Sequence, residues 1–267
     1  MDLLANFGIS RIPFTRELRA EDYFSMPFFE EARDSLLDAV KNRMSAALIS
    51  PSGTGKTALL RLVKEGLPEA RYRVRYIKVT SLSKRDMCRE LAAACGAPTA
   101  GTYPALVRSL QQHWEDWGRT DGVRPVLLID EAHEMRPDVL AMLRILTNFE
   151  MDSRLVLSVI IAEQKSLATM LDLDEMEAVA RRLAHVATLR LLAREETVRY
   201  LEHRCAIVGA APVPFGTEAV EVIFDLSRGN LRAIDCLALK SMQIAATQDR
   251  STVSSGDVAL ARKQLCL

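Results

Sequence analysis

Glycine and proline are sparse in this chain of 267 residues, at 12 and 10. With 49% of residues apolar, that excludes collagen-like, low-complexity and disordered classes. Long hydrophobic runs are missing too. The longest, residues 155–162, spans 8 positions with Ser158 inside it. About 20 are needed to cross a bilayer, so no membrane span is expected. The five cysteines, Cys88, Cys95, Cys205, Cys236 and Cys266, form no CxxC and no Cys/His cluster. That argues against a zinc site and a disulfide framework, and for reduced, mostly buried thiols. Neither sign of charge is in excess, with 35 basic against 35 acidic side chains, so any nucleic-acid contact needs a local basic strip. The opening MDLLANFGISRIPF shows no basic segment followed by an apolar one. The expectation is a cytoplasmic chain without a secretory signal.

What is present is an alternation of short apolar strands and longer helical patterns from about Ala46 to Leu191. That is the pattern of an α/β domain with a mainly parallel sheet. Strands are expected at 46–50, 73–80, 124–130, 155–162 and 185–189. From Glu195 the strand signal stops and amphipathic helices follow, broken at 209–214, 229–230 and 251–255. A boundary is therefore expected at 191/192, separating a domain over 1–191 from a helical one over 192–267.

The strongest motif is SPSGTGKT, residues 50–57, which follows the apolar strand AALI and opens the helix ALLRLVKEG. A phosphate-binding loop needs converging backbone N–H groups, a helix N-terminus behind them, a lysine for the β- and γ-phosphates and a hydroxyl for Mg²⁺. Ser52, Gly53, Thr54, Gly55, Lys56, Thr57 and Ala58 line that loop, with Lys56 as the charge and Thr57 as the metal hydroxyl. Ser50 stands where such loops usually carry their first glycine. ATP and Mg²⁺ are the expected ligands, and the fold class is a three-layer αβα P-loop domain with five strands.

The partner motif is VLLIDEAH, residues 126–133, an apolar strand ending in two acids. Asp130 at the strand tip can hold Mg²⁺ through water, and Glu131 can orient and deprotonate an attacking water. Either acid could instead cap the helix starting near Pro137. The separation of 74 positions from Lys56 to Asp130 leaves room for an additional strand.

Residues FGISRIPF, SGTGKTALLR, VLLIDEAHEMRPDVLAMLRILTNFEMDSR, LVLSVIIAEQ, LAREETVRYLEHRCAIVGA and GNLRAID occur in this order through most of the chain. With them in view, the sequence resembles AAA+ ATPases of the ExeA-like group, which includes the ATP-binding proteins of transposons. The resemblance implies a helical lid after the αβα domain and assigns further residues. Gln164 falls at the sensor-1 position, with Glu163 and Lys165 where relatives usually have glycine and proline. Arg232 matches the lid arginine that touches phosphate. Arg182, with Arg181 beside it, lies where such proteins present an arginine finger to a neighbouring subunit. Phe14, with Ile12 and Pro13, resembles the stretch packed on adenine; the alternative is that it covers the core.

By the same resemblance, Ser81, Ser83, Lys84, Arg85 and Thr102 would contact the backbone of duplex DNA inside a ring or helical filament. The competing reading is a solvated sheet edge, where Arg71, Arg73 and Arg75 guard against aggregation. The function implied is an ATP-dependent, DNA-binding homo-oligomer that regulates a transposase. Two alternatives stand beside it: a secretion-associated ATPase acting in envelope assembly, and a nucleotide-gated scaffold with little turnover. Secretion-associated relatives carry a membrane span and a peptidoglycan-binding domain after the ATPase. This sequence reaches Leu267 with neither, which makes the transposition role the first expectation.

Overall fold

The computed structural model describes residues 3–79, 81–164 and 166–265. Thr80, the expected end of the second strand, and Lys165 beside the sensor position lie outside them. In chain order the elements are α1 (Leu3–Phe7), α2 (Pro27–Lys41), β1 (Ser45–Ile49), α3 (Lys56–Glu65), β2 (Tyr72–Lys78), α4 (Lys84–Cys95), α5 (Tyr103–Thr120) and β3 (Arg124–Asp130). There follow α6 (Pro137–Leu146), β4 (Ser158–Glu163), α7 (Ser166–Leu171), α8 (Glu177–Ala180), β5 (Leu183–Thr188), α9 (Arg194–Ala206), α10 (Thr217–Ser227), α11 (Leu231–Thr247) and α12 (Ser255–Gln264). No helix among the described residues is long and apolar enough to cross a membrane.

The chain divides into two compact units. One comprises Pro27–Pro51 and Lys56–Leu189; the other comprises Met1–Met26, Ser52–Gly55 and Arg190–Leu267. The first holds an all-parallel sheet of order β2-β3-β4-β1-β5. Parallel strands need crossover helices, which cover both faces, so central strands read as continuous apolar runs. β4 shows this, with all six residues buried. Its chain order puts β4 between the strands that lead into the two motifs, β1 and β3. The ends of β1, β4 and β3 are therefore neighbours, and in such sheets ligands bind beyond the strands' carboxyl ends.

One face of the sheet is packed by α4, α5 and α6 around Leu91, Leu110, Trp114, Leu127 and Ile129. Ser83 precedes α4, and its hydroxyl accepts the amide of Asp86 and caps the helix. The outer strand β2 carries its arginines toward α5: Arg73 pairs with Asp121 at 2.8 Å and stacks over Trp117 at 4.7 Å. Arg75 lies over the same ring at 5.5 Å. These two guanidiniums are part of the packing between β2 and α5, rather than a solvated edge.

The second unit is helical. α11 runs through its middle, with Ile234, Leu237, Ala238 and Met242 fully buried. The first 26 residues belong to this unit. Ser10 N donates to Val208 O at 2.9 Å, Arg204 donates to Thr15 O at 2.8 Å, and a nitrogen of His203 meets Asp22 O at 2.9 Å. Arg204 is itself buried and bonds Tyr200 and Asp235, so this segment is held by a polar network as well as by apolar contact.

Candidate nucleotide site

The loop after β1 takes its shape from two glycines, Gly53 and Gly55, at φ 75° and 97°. Left-handed backbone in such a turn aligns successive N–H groups into an anion-binding nest, and residues with a Cβ rarely adopt it. α3 starts at Lys56, so the positive end of a ten-residue helix stands behind the loop. Ser50, in place of the usual first glycine, is buried, and its N–H donates to Glu163 O at 3.1 Å. The serine is accommodated because the loop leaves β1 still bonded to β4. Lys56 Nζ donates to the carbonyls of Ser50 and Pro51 at 3.3 and 3.2 Å.

Asp130 closes β3 and is 1% exposed. Its Oδ2 accepts the Thr57 hydroxyl at 2.7 Å and the Tyr76 hydroxyl at 3.0 Å. Its Oδ1 accepts the backbone N–H of Glu131 at 2.9 Å. A hydroxyl and a carboxylate in mutual contact at a loop-helix junction are the hard oxygen donors that Mg²⁺ requires. Glu131 itself has left-handed backbone, φ 58°, so the chain turns sharply just past the strand. Burial and the neighbouring Asp130 push the Tyr76 hydroxyl well above its ordinary pKa, so it is a neutral donor at all ordinary pH.

Gln164 follows the last residue of β4, partly buried, on the strand between β1 and β3. Arg182 immediately precedes β5 and pairs with Asp152 at 2.5 Å, whereas Arg181 is exposed and pairs with Glu177 along α8.

In the helical unit, the loop tip Ser52–Gly55 meets the start of α11. Asn230 Nδ2 donates to Ser52 O at 2.8 Å, and its Oδ1 accepts Ala233 N at 3.2 Å as the helix N-cap. Arg232 N donates to Gly53 O at 3.3 Å, and the Arg232 side chain is exposed. Thr54 is buried. Phe14 is also buried, edge-on to Phe215 with ring centres 5.9 Å apart and under the guanidinium of Arg204.

The residues singled out for DNA lie at neighbouring helix starts. Ser83 caps α4, Arg85 Nε donates to Gly101 O at 3.2 Å just before α5, and Thr102 is the N-cap position of α5. Lys84 reaches Asp138 in the first turn of α6 at 3.6 Å. Ser81 is exposed in the preceding turn. The structure adds Arg136, exposed at the N-cap position of α6, to this group. It also adds Tyr76 to the Asp130 cluster and Asp152 as the partner of Arg182. The pairing of β2 with β3 puts Tyr76 opposite Leu128, two residues short of Asp130. A tyrosine two positions before the end of the strand beside an acidic strand tip was the one available signal.

Residues 39–171 match a family model described as an AAA domain. The chain is 28% identical over 262 residues to general secretion pathway protein A of Aeromonas hydrophila, covering 96% of this chain and 47% of that protein. It thus spans about half the length of this curated relative. Among solved structures, Cdc6p from Pyrobaculum aerophilum superposes with a TM-score of 0.70 at 18% identity, covering 99% of this chain and 71% of that one. The Aeropyrum pernix ORC1 protein, solved in complex with DNA, superposes with 0.70 at 20% identity, covering 92% and 68%. Residues 39–171 are thus similar to the AAA domain family, and the chain shares its fold with these solved structures.

Proposed function

We propose that the chain binds ATP with Mg²⁺ at the loop 50–57 and hydrolyses it. The observation that carries this reading is the 2.7 Å bond from Thr57 Oγ1 to Asp130 Oδ2, which unites two motifs 73 residues apart. The loop amides and Lys56 bind phosphate oxygens, and Thr57 and Asp130 are the residues that would hold the metal. A Mg²⁺ ion held by them would supply neutralisation of phosphate charge. Glu131 orients the attacking water and takes its proton, Gln164 holds the γ-phosphate or that water, and Arg232 contacts the phosphates. An arginine of the pair Arg181 and Arg182 completes the site of a neighbouring copy. The test is Glu131→Gln, expected to keep ATP binding while turnover falls by about 10²-fold or more. Unchanged turnover would remove Glu131 from its role, and Lys56→Ala that still binds ATP would remove the site.

The finer reading is a cytoplasmic homo-oligomer, ring or helical filament, that binds duplex DNA in its ATP state and regulates a transposase. Its support is the resemblance of the LTNFEMDSR segment to transposon ATPases, together with Lys84, Arg85 and Arg136 at the starts of α4 and α6. Positive side chains and helix N-termini suit phosphate oxygens without reading bases. Replacing Lys84 and Arg85 by alanine should weaken duplex binding and reduce its salt slope by about 2. If DNA affinity is unchanged while ATPase activity falls, the surface lies elsewhere. A secretion-associated role is the second reading, favoured by the 28% identical relative named for general secretion. ATP-dependent duplex binding that is absent in the purified chain would turn the choice to it.

A further inference from the structure

We propose that Tyr76 is a positioning residue for the metal site, acting through Asp130 on Thr57. The proposal rests on the ATP and Mg²⁺ reading above and names a residue outside both motifs, 50–57 and 126–133. Asp130 Oδ2 receives two hydroxyl donors, Thr57 at 2.7 Å and Tyr76 at 3.0 Å, and Oδ1 receives the N–H of Glu131 at 2.9 Å. A carboxylate oxygen has two lone-pair sites, so Oδ2 is saturated and the plane of the carboxylate is fixed from both ends. With its proton committed to Asp130, the Thr57 hydroxyl keeps its own lone pairs directed away, available to a cation. Tyr76 thereby sets the orientation of Asp130, and Asp130 sets that of Thr57.

A packing role does not account for this tyrosine. Tyr76 is 43% exposed, on the outer strand β2, while the oxygen it bonds belongs to a residue 1% exposed. A phenylalanine there would cover the same surface and satisfy nothing. Partners that orient metal-binding groups in this way are worth roughly 10–100-fold in metal affinity.

The experiment is Tyr76→Phe, which keeps the ring and removes the donor. Mn²⁺ serves as the probe, its binding read by electron paramagnetic resonance in the presence of a non-hydrolysable ATP analogue. Binding of a fluorescent ATP analogue in EDTA is measured in parallel. We expect the Mn²⁺ dissociation constant to rise about 10-fold, with metal-free nucleotide affinity unchanged within about 2-fold. In an Asp130→Asn background the same substitution should change Mn²⁺ binding by less than about 2-fold, because its effect passes through that carboxylate. Mn²⁺ affinity equal to that of the parent chain would overturn the proposal. So would an equal loss of metal-free nucleotide binding, which marks a merely structural effect. If the parent chain binds no nucleotide at all, the ATP reading itself fails, and that outcome is distinct from both.

Discussion

Arg182 Nη2 donates to Asp152 Oδ2 at 2.5 Å, tying the residue before β5 to a turn thirty positions earlier. Asp152 ends a run of left-handed residues, Glu150, Met151 and Asp152, at φ 48°, 58° and 65°. None is glycine, and each such residue costs on the order of 1 kcal/mol. The turn is held by the bridge between Phe149 and Arg154, by Arg154 on Glu150 at 2.9 Å, and by Arg182 from outside.

The first prediction separates the two adjacent arginines. Arg182 is 24% exposed and engaged with a strained turn, whereas Arg181, just past α8, is 76% exposed and pairs with Glu177 four positions back. Arg182→Ala and Asp152→Ala should each lower unfolding stability by about 1 kcal/mol and hasten proteolysis beside the exposed Met151. Arg181→Ala should leave stability within about 0.5 kcal/mol and remove the part of ATP turnover that rises with protein concentration. Urea unfolding and turnover against concentration check this. If the concentration-dependent part vanishes with Arg182→Ala at unchanged stability, the assignment of the two side chains is reversed.

The same contrast shows what the sequence made legible. β3 falls at the expected 124–130 because a strand buried on both faces is an uninterrupted apolar run, and that pattern is local. β4 begins at Ser158 instead of Leu155, because the chain there is still leaving the bridge that Arg154 makes with Phe149. The loop and the acidic strand tip were readable from residue types and spacing, as was the break between helices at 229–230. Tyr76 on Asp130, Arg182 on Asp152 and Asn230 on Ser52 were not, since each joins segments 30 to 178 residues apart. Such pairings have no period. The arginines of β2 alternate as on a solvated edge, and only the arrival of Trp117 from α5 turns Arg73 and Arg75 into packing groups.

The second prediction concerns Asn230, whose amide does two separable things. Its oxygen caps α11 and its nitrogen donates to Ser52 O. Asn230→Ala loses both and should cost about 1 kcal/mol of stability. Asn230→Asp keeps the cap, loses the donor and puts a negative charge beside the loop tip. It should be nearly as stable as the parent while binding ATP several-fold more weakly. Gly53→Ala should resemble the alanine variant, because its Cβ would stand 2.3 Å from Asn230 Oδ1 and displace that side chain. Equal ATP affinity in Asn230→Asp and the parent chain would show that the bond to Ser52 does nothing for the loop.

The third prediction is the acid profile of stability, to which three carboxyls of the helical unit contribute. Arg190 and the N–H of Ala193 hold Glu196 down at about 2 from its ordinary 4.5. Arg250 and Ser254 hold Asp257 at about 2 from 3.8. A carboxyl depressed by folding contributes fully above its unfolded pKa and loses that contribution as the pH falls through the folded one. Both therefore add stability above about pH 4.5 and lose it toward pH 2, each by roughly 1–2 kcal/mol. Asp235 works the other way. Burial raises it to about 6 against the pull of Arg204 and the Tyr200 hydroxyl, so the folded chain takes up its proton more readily than the unfolded chain. Stability should rise as the pH falls from 7 toward 4 and then drop. Urea unfolding at stepped pH should show this maximum. Asp235→Asn should flatten the limb above it, and Glu196→Gln with Asp257→Asn the limb below. A profile that falls steadily from pH 7 downward would show that Asp235 stays ionised beside Arg204.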